Sequence, residues 1–307
     1  MQGQVAPPPL PAHSNARKVN PTMRLAFSTN AYLNHTFEDA VTRLAAMGYE
    51  GVEVMADVPH AWPAYMLPSQ VKALRDTLER NRLSISNVNA FMMHAVDDPR
   101  QKYWHPSWIE PDQHYRLLRA RHTMKALTMA AELGAKCITT EPGGPVGPGE
   151  SWKAGLDLFV ETIKPVLEHA EKEKVLLLVE PEPGLLIETA EQALEFMGRF
   201  DSPWLGLNFD IGHSYCVGED PARVVPMLAR HIRHVHLEDI ASSRLHQHLL
   251  PGEGAIDFAS VLKALKSGGY NGWVTIELYP YIENPDTVAR LARERVLPIL
   301  ESVEKGV

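Results

Sequence analysis

The chain has 307 residues, 45% hydrophobic and 22% charged, with 30 basic against 38 acidic residues and a net charge of −8. That length suits one α/β barrel, which commonly fills about 250 residues. The acidic balance argues against nucleic acid as the main partner, because neutralising phosphates takes a clustered basic surface. No apolar run reaches the roughly 18 residues of a membrane span. The two cysteines, Cys137 and Cys216, are too few for a disulfide framework and fit a reducing cytoplasm.

Residues 1–22 are proline-rich and lack the apolar core of a signal peptide. They read as a disordered leader, or as a mis-assigned start ahead of Met23, leaving 23–307 as one catalytic domain. From Met23 onward β-rich runs alternate with helical patterns. The runs are 24–29 (RLAFST), 51–55 (GVEVM), 84–89 (SISNVN), 136–140 (KCITT), 175–180 (VLLLVE), 205–210 (LGLNFD), 233–237 (RHVHL) and 272–277 (GWVTIE). Several are nearly continuous apolar stretches, as strands buried on both faces require.

Helices fill the gaps. Thr36 caps a helix with Phe37, Val41, Leu44, Ala45 and Met47 on one side, ended by Gly48. Ser69 caps a second, with Val71, Leu74 and Leu78 inward. The stretch 91–113 reads as a loop on the mouth side, a lid carrying Trp104 and Trp108. The basic run from Arg116 to Lys125 reads as a helix whose charged face lies in water. Ser151 opens a helix with Leu156, Phe159, Val160, Ile163 and Leu167 at helical spacing. Thr189 with Gln192 forms a capping box, Asp257 caps 258–267, and a last helix runs from about 285 to 303. Strand then helix, eight times over, predicts a parallel sheet closed into a single (β/α)8 TIM barrel. An open doubly wound sheet is disfavoured, because no GxGxxG turn follows the first strand.

Chemistry in such a barrel sits where strands end. Strand five ends in Glu180, strand six in Asp210, strand seven contains His236 and strand eight ends in Glu277. Pairing of each acid with Lys or Arg is the ordinary alternative, but those strands end with no such residue on the same side. Three carboxylates converging at a secluded mouth repel, and one divalent cation relieves them. Three oxygen donors and one imidazole favour Mn²⁺, Mg²⁺ or Co²⁺, with Zn²⁺ also admissible.

The segments VEPEPG (179–184), LNFDIGHSY (207–215), HVHLEDI (234–240), HQHLLPGEGAIDF (246–258) and VTIEL (274–278) resemble the xylose-isomerase-like barrels over essentially 23–305. That superfamily includes sugar and sugar-phosphate isomerases and epimerases, dehydroshikimate dehydratases and endonuclease IV. The resemblance to the ketose 3-epimerases implies Glu180, Asp210, His236 and Glu277 as ligands of one metal. It also makes Glu180 and Glu277 the acid/base pair, and gives His213 a substrate hydrogen bond. A metal bound to the carbonyl and adjacent hydroxyl would stabilise an enediolate while the carboxylates move the proton.

Two positions depart from that pattern. Leu186 stands six residues after Glu180 where those epimerases carry a second Glu, with Glu188 nearby. Ser242 stands where they carry an Arg, with Arg244 two further on. The nuclease members bind three metals, and His246, His248 and His213 match some of their extra ligands. Strand four, however, ends in Glu141 where one of their histidines is expected.

The substrate set taken forward is His213, Arg244, His246, His248 and Trp108. Trp62, Phe91 and Tyr279 are further candidates to stack on a sugar. Gly252 and Gly254 either present N–H groups to a phosphate or only turn a tight loop, the favoured reading. Glu53, read as closing strand two, faces the mouth or pairs outward, and Glu182, between two prolines, could stand behind the ligands but is not carried forward. Three imidazoles, His213, His246 and His248, could hold a second ion, but no acid that would orient them is evident, so a single metal is favoured. The expected activity is a metal-dependent isomerase or epimerase of a sugar, sugar acid or cyclitol. A dehydratase of a keto-cyclitol comes next, and a hydrolase after it. The expected partner is a small polyol, with no nucleic acid or membrane, and a homo-oligomer is allowed for.

Overall fold

The computed structural model describes residues 22–94 and 102–306. The leader, apart from Thr22, and part of the 91–113 stretch lie outside the described residues. The eight expected strands form within one residue of the sequence reading. They are β1 (Arg24–Ser28), β2 (Gly51–Met55), β3 (Ser84–Asn89), β4 (Cys137–Thr140), β5 (Leu176–Val179), β6 (Leu205–Asp210), β7 (Ile232–Leu237) and β8 (Trp273–Ile276). Each pairs in parallel with its sequence neighbours, and β1 pairs with β8 through Leu25 and Val274 to close the barrel. Two register irregularities fall immediately before Glu53 in β2 and Asn208 in β6. Such irregularities re-aim side chains, and both of these side chains reach His236 in the barrel interior.

The outer layer comprises α1 (Phe37–Ala46), α2 (Pro68–Asn81), α3 (Gln113–Leu133), α4 (Trp152–Glu173), α5 (Ala190–Met197), α6 (Ile211–Cys216), α7 (Pro221–Leu228), α8 (Phe258–Ser267) and α9 (Pro285–Lys305). The start signals read from the sequence mostly hold. Thr36 accepts from the Asp39 N–H, Ser151 from Ala154 and Asp257 from Ser260, while Thr189 and Gln192 cap reciprocally. Ser69 does not cap. Pro68 already occupies the first helical position, where its missing N–H costs nothing. There Gln70 reaches back to accept from the Leu67 N–H at 2.8 Å.

The basic run needs a larger correction. Arg121 and Lys125 are exposed as expected, but Arg119 is wholly buried. Its guanidinium donates to the carbonyls of Pro106 at 2.6 Å, Phe91 at 2.7 Å, Ala90 at 3.1 Å and Trp104 at 3.3 Å. Helix α3 therefore pins both described ends of the 91–113 stretch against the barrel through one cation. Among the described residues no helix is long and apolar enough to cross a membrane.

Arg119→Met would take the guanidinium donor from four carbonyls, three of them on buried residues. A loss of about 3 kcal/mol is expected, read as a lower denaturant midpoint. An unchanged midpoint would mean that those carbonyls find other partners.

Candidate active site

His236, in β7, stands at the centre of the mouth. Its Nδ1 lies 2.8 Å from Glu180 Oε1, 3.6 Å from Glu277 Oε2 and 3.8 Å from Asp210 Oδ2. Its Nε2 lies 2.7 Å from Glu53 Oε2. Glu180 directly follows β5, Asp210 ends β6 and Glu277 directly follows β8, so three strand ends and β7 deliver the four expected ligands together. One donor atom from each lies within 4.8 Å of the others, and all four residues are buried. Among the described residues, no Lys or Arg pairs with any of the three carboxylates. The counter-charges missing at those strand ends in the sequence are missing from the folded site as well.

The electrostatics follow from burial at close quarters. Burial, then the charges of Asp210 and Glu53, push Glu180 up against the pull of His236. Burial pushes Glu277 well up, with Glu180, Glu53 and Asp210 adding to the effect. For His236 burial works downward, yet Glu53, Glu180 and Glu277 overrule it and hold the imidazole well above its usual range. Burial would raise Glu53, but the His236 charge holds it down at about 2. Asp210 gives one oxygen to the His213 N–H at 2.7 Å as the cap of α6, and its carboxylate also meets the buried Glu238 carboxyl, whose own proton affinity is pushed well up by burial and the Asp210 charge. Three buried carboxylates and an imidazole nitrogen, with no Lys or Arg beside them among the described residues, fit a divalent cation on donor chemistry and charge alike.

Above this cluster opens a pocket of about 200 Å³. Glu180, Glu182 and Glu277 line one part of it, and Phe91, Tyr103 and Tyr279 supply aromatic surface. His213, His246 and His248 complete the wall, so the structure brings all three histidines to the site. The expectation that no acid orients them is wrong. Glu182 Oε2 lies 3.1 Å from His213 Nδ1, and its Oε1 lies 3.5 Å from His246 Nδ1. Carbonyl oxygens of Pro181 and Glu277 take His213 Nδ1 and His248 Nδ1, each at 3.0 Å. The Nε2 atoms of His246 and His248 approach to 3.3 Å. The alternation of side chains along an extended backbone was the missed signal, since Glu182 is two residues from Glu180. Burial first, then the charges of Glu180, Asp210 and Glu277, push Glu182 well up.

Two expected substrate contacts are not brought to the pocket. Trp108 is fully buried behind it, with Nε1 donating to Thr140 Oγ1 at 3.2 Å and its ring 5.7 Å from Phe159. Arg244 turns to a separate cleft beside α7 and α8. There its guanidinium lies 4.2 Å from the Tyr215 ring centroid and donates to the Tyr215 and Glu219 carbonyls. Trp62 stacks on His122 instead. Gly252 and Gly254 donate to Asp239 Oδ2 at 2.8 and 2.9 Å, which supports the tight-loop reading. Sequence reasoning also missed Asn30 and Asn89, which donate to Glu277 Oε1 at 2.8 and 3.3 Å. Asn89 ends β3 and Asn30 follows β1, positions that the same strand-end rule marks.

Comparison with known proteins points the same way. The family described as xylose isomerase-like TIM barrel matches residues 41–297. The chain is 26% identical over 288 residues to the inosose dehydratase of Clostridium beijerinckii, covering 85% of this chain and 89% of that protein. It is 24% identical over 280 residues to the fructoselysine 3-epimerase of Shigella flexneri, covering 89% and 95%. It superposes on a D-tagatose 3-epimerase-like protein with a TM-score of 0.78 at 25% identity, over 92% of this chain and 99% of that one.

Gly212 tests how tightly the shell behind Asp210 is packed. A Cβ there would run into Glu238 Oε1 and lie 2.8 Å from its Cδ. Glu238 is itself wholly buried against the Asp210 carboxylate. Gly212→Ala should cost about 1–3 kcal/mol and lower the thermal midpoint. A midpoint equal to wild type would show that Glu238 moves freely.

Proposed function

The chain belongs to the xylose isomerase-like TIM-barrel family, and from that premise we propose a divalent-metal-dependent isomerase or epimerase of a sugar, sugar acid or cyclitol. The reaction is proton transfer at the carbon beside a carbonyl. The observation that carries this reading is the buried convergence of Glu180, Asp210, His236 Nδ1 and Glu277 at the floor of the pocket. Those four side chains would hold the ion, with Mn²⁺, Mg²⁺ or Co²⁺ matching the donor set best. When bound, the ion would polarise the substrate carbonyl and acidify the neighbouring C–H.

The chain's own groups do the rest. Burial raises the proton affinity of Glu180 and Glu277, which suits carboxylates that take a proton from carbon and give it back. Asn30 and Asn89 fix Glu277 by donating to Oε1. His213 gives its Nδ1 proton to the Pro181 carbonyl, so its Nε2 accepts from a substrate hydroxyl. The rings of Phe91, Tyr103 and Tyr279 cover the apolar face of a sugar and keep water out. The pocket supports a small polyol as partner, and the two unpaired cysteines support a cytoplasmic setting.

A dehydratase is the second reading, favoured by Glu182. A carboxyl pushed well up by burial keeps its proton more readily than a free one, and from the pocket wall it would protonate a departing β-hydroxyl, which leaves as water. The likeness to inosose dehydratase supports this reading as well.

Purified protein should contain about one divalent ion per chain, removable by chelator, and Glu180→Gln, Asp210→Asn and His236→Ala should each lower that content. Unchanged occupancy in all three would end the assignment. Two ions in wild type, falling to one in His246→Ala, would favour a hydrolase instead.

Turnover in D2O should place deuterium on carbon, and Glu277→Gln should slow it by about 10²–10⁴-fold. Turnover without deuterium in substrate or product would contradict proton transfer at carbon. A conjugated enone absorbing in the ultraviolet would select the dehydratase reading.

A further inference from the structure

Glu53 lies in the middle of β2, wholly buried, and takes no part in the four-residue ligand set. Its carboxylate crosses the barrel interior to a strand it does not pair with, meeting His236 Nε2 at 2.7 Å. The carboxylate is itself fixed. Asn87 Nδ2 donates to Oε2 at 2.8 Å and to Thr139 Oγ1 at 2.7 Å, while Asn89 Nδ2 lies 3.5 Å from Oε1. A carboxylate only accepts, so Glu53 takes the Nε2 proton, and the Nδ1 edge, which Asn208 Nδ2 approaches to 3.1 Å, faces Glu180, Asp210 and Glu277.

Glu53, His234 and His236 also lie close enough together to suggest a cation site of their own. His234 rules that out. Its Nδ1 is engaged by Asn208 Oδ1 at 2.9 Å and its Nε2 by Thr275 Oγ1 at 2.8 Å, so neither nitrogen is free to bind an ion.

We propose that Glu53 is the positioning residue of the metal centre: by accepting the Nε2 proton of His236 it fixes the ring's rotation and tautomer, and so presents Nδ1 as a metal donor. The inference rests on the reading of the strand-end cluster as a metal site. A carboxylate behind a ligating imidazole also raises the basicity of the ligating nitrogen, and loss of such a partner typically weakens metal binding about 10–100-fold. Neither the strand position nor the residue type announced this role. It appears only when β2 and β7 are seen across the closed barrel.

Substitution separates hydrogen bonding from bulk. His236 and Asn87 both address Oε2, so Glu53→Gln with its oxygen in that place still accepts both. Its amide then faces Asn89 Nδ2, donor against donor, with a modest penalty. Glu53→Ala removes the acceptor and leaves the ring free to rotate.

The test uses the full chain, stripped with chelator and titrated with Mn²⁺ alone, for wild type, Glu53→Gln and Glu53→Ala. Co²⁺-loaded absorption spectra and the melting temperature of the stripped protein are recorded in parallel. Wild type should bind one ion, Glu53→Ala about 10–100-fold more weakly with an altered Co²⁺ visible band, and Glu53→Gln closer to wild type on both counts. A Glu53→Ala affinity within twofold of wild type would overturn the inference while leaving the metal reading intact. So would Glu53→Gln as weak as Glu53→Ala, because a purely charge-based or structural role makes no use of the retained oxygen. A wild type that binds no ion would overturn both.

Discussion

The constraint on which the rest of the molecule depends is the crowding of acidic groups around one buried imidazole. At separations of at most 4.8 Å, each pair of like unit charges costs about 3.5 kcal/mol or more at an effective dielectric of 20. Nothing cationic from Lys or Arg answers it among the described residues. His236 alone stands between Glu180, Asp210 and Glu277 on one edge and Glu53 on the other. The surrounding structure is arranged to hold that crowd still. Asn30, Asn87, Asn89 and Asn208 supply side-chain amides at its edges, and the interior continues through His234 and Thr275 to Ser86 in an unbroken chain of hydrogen bonds. A barrel filled this way gives up apolar packing near its mouth and relies on the helix–sheet layer for stability.

The part of this arrangement that was legible in the sequence is the part governed by strand periodicity. Runs such as VLLLVE and LGLNFD are apolar until close to their last residue, so the side chain at the end is the one delivered to the mouth, and Glu180 and Asp210 could be read directly. Glu53 could not, because GVEVM places its acid in mid-strand, where facing inward or outward depends on a register irregularity visible only in the folded sheet. Arg119 failed for a related reason. A cation on an amphipathic helix is ordinarily in water, and nothing local says that four carbonyls of another segment will close over it. Trp108 and Arg244 were assigned by proximity in the chain. The loops carrying them fold back, one into the core and one towards Tyr215, so chain proximity did not become proximity to the pocket.

The same cluster supports two chemistries that share their opening step. Removal of a proton beside a carbonyl needs a desolvated carboxylate, and Glu180 and Glu277 are both desolvated. The product then depends on where protons are held nearby. A proton returned to carbon gives an epimer or isomer, whereas a proton delivered to a departing hydroxyl gives an alkene and water. Glu182, buried between His213 and Tyr103 and pushed well up, is the group whose proton would divide the two outcomes in the proposed reaction. The barrel supplies the site, and the inventory of protons around it sets the reaction.

The claim at the centre of this account is that the four strand-end side chains enclose one divalent ion. Diffraction from crystals equilibrated with Mn²⁺, collected on both sides of the manganese absorption edge, tests it directly. The account predicts one strong anomalous peak bounded by Glu180, Asp210, His236 Nδ1 and Glu277, with His236 Nε2 still on Glu53. No peak there, or a peak held by His213, His246 and His248 alone, would contradict it.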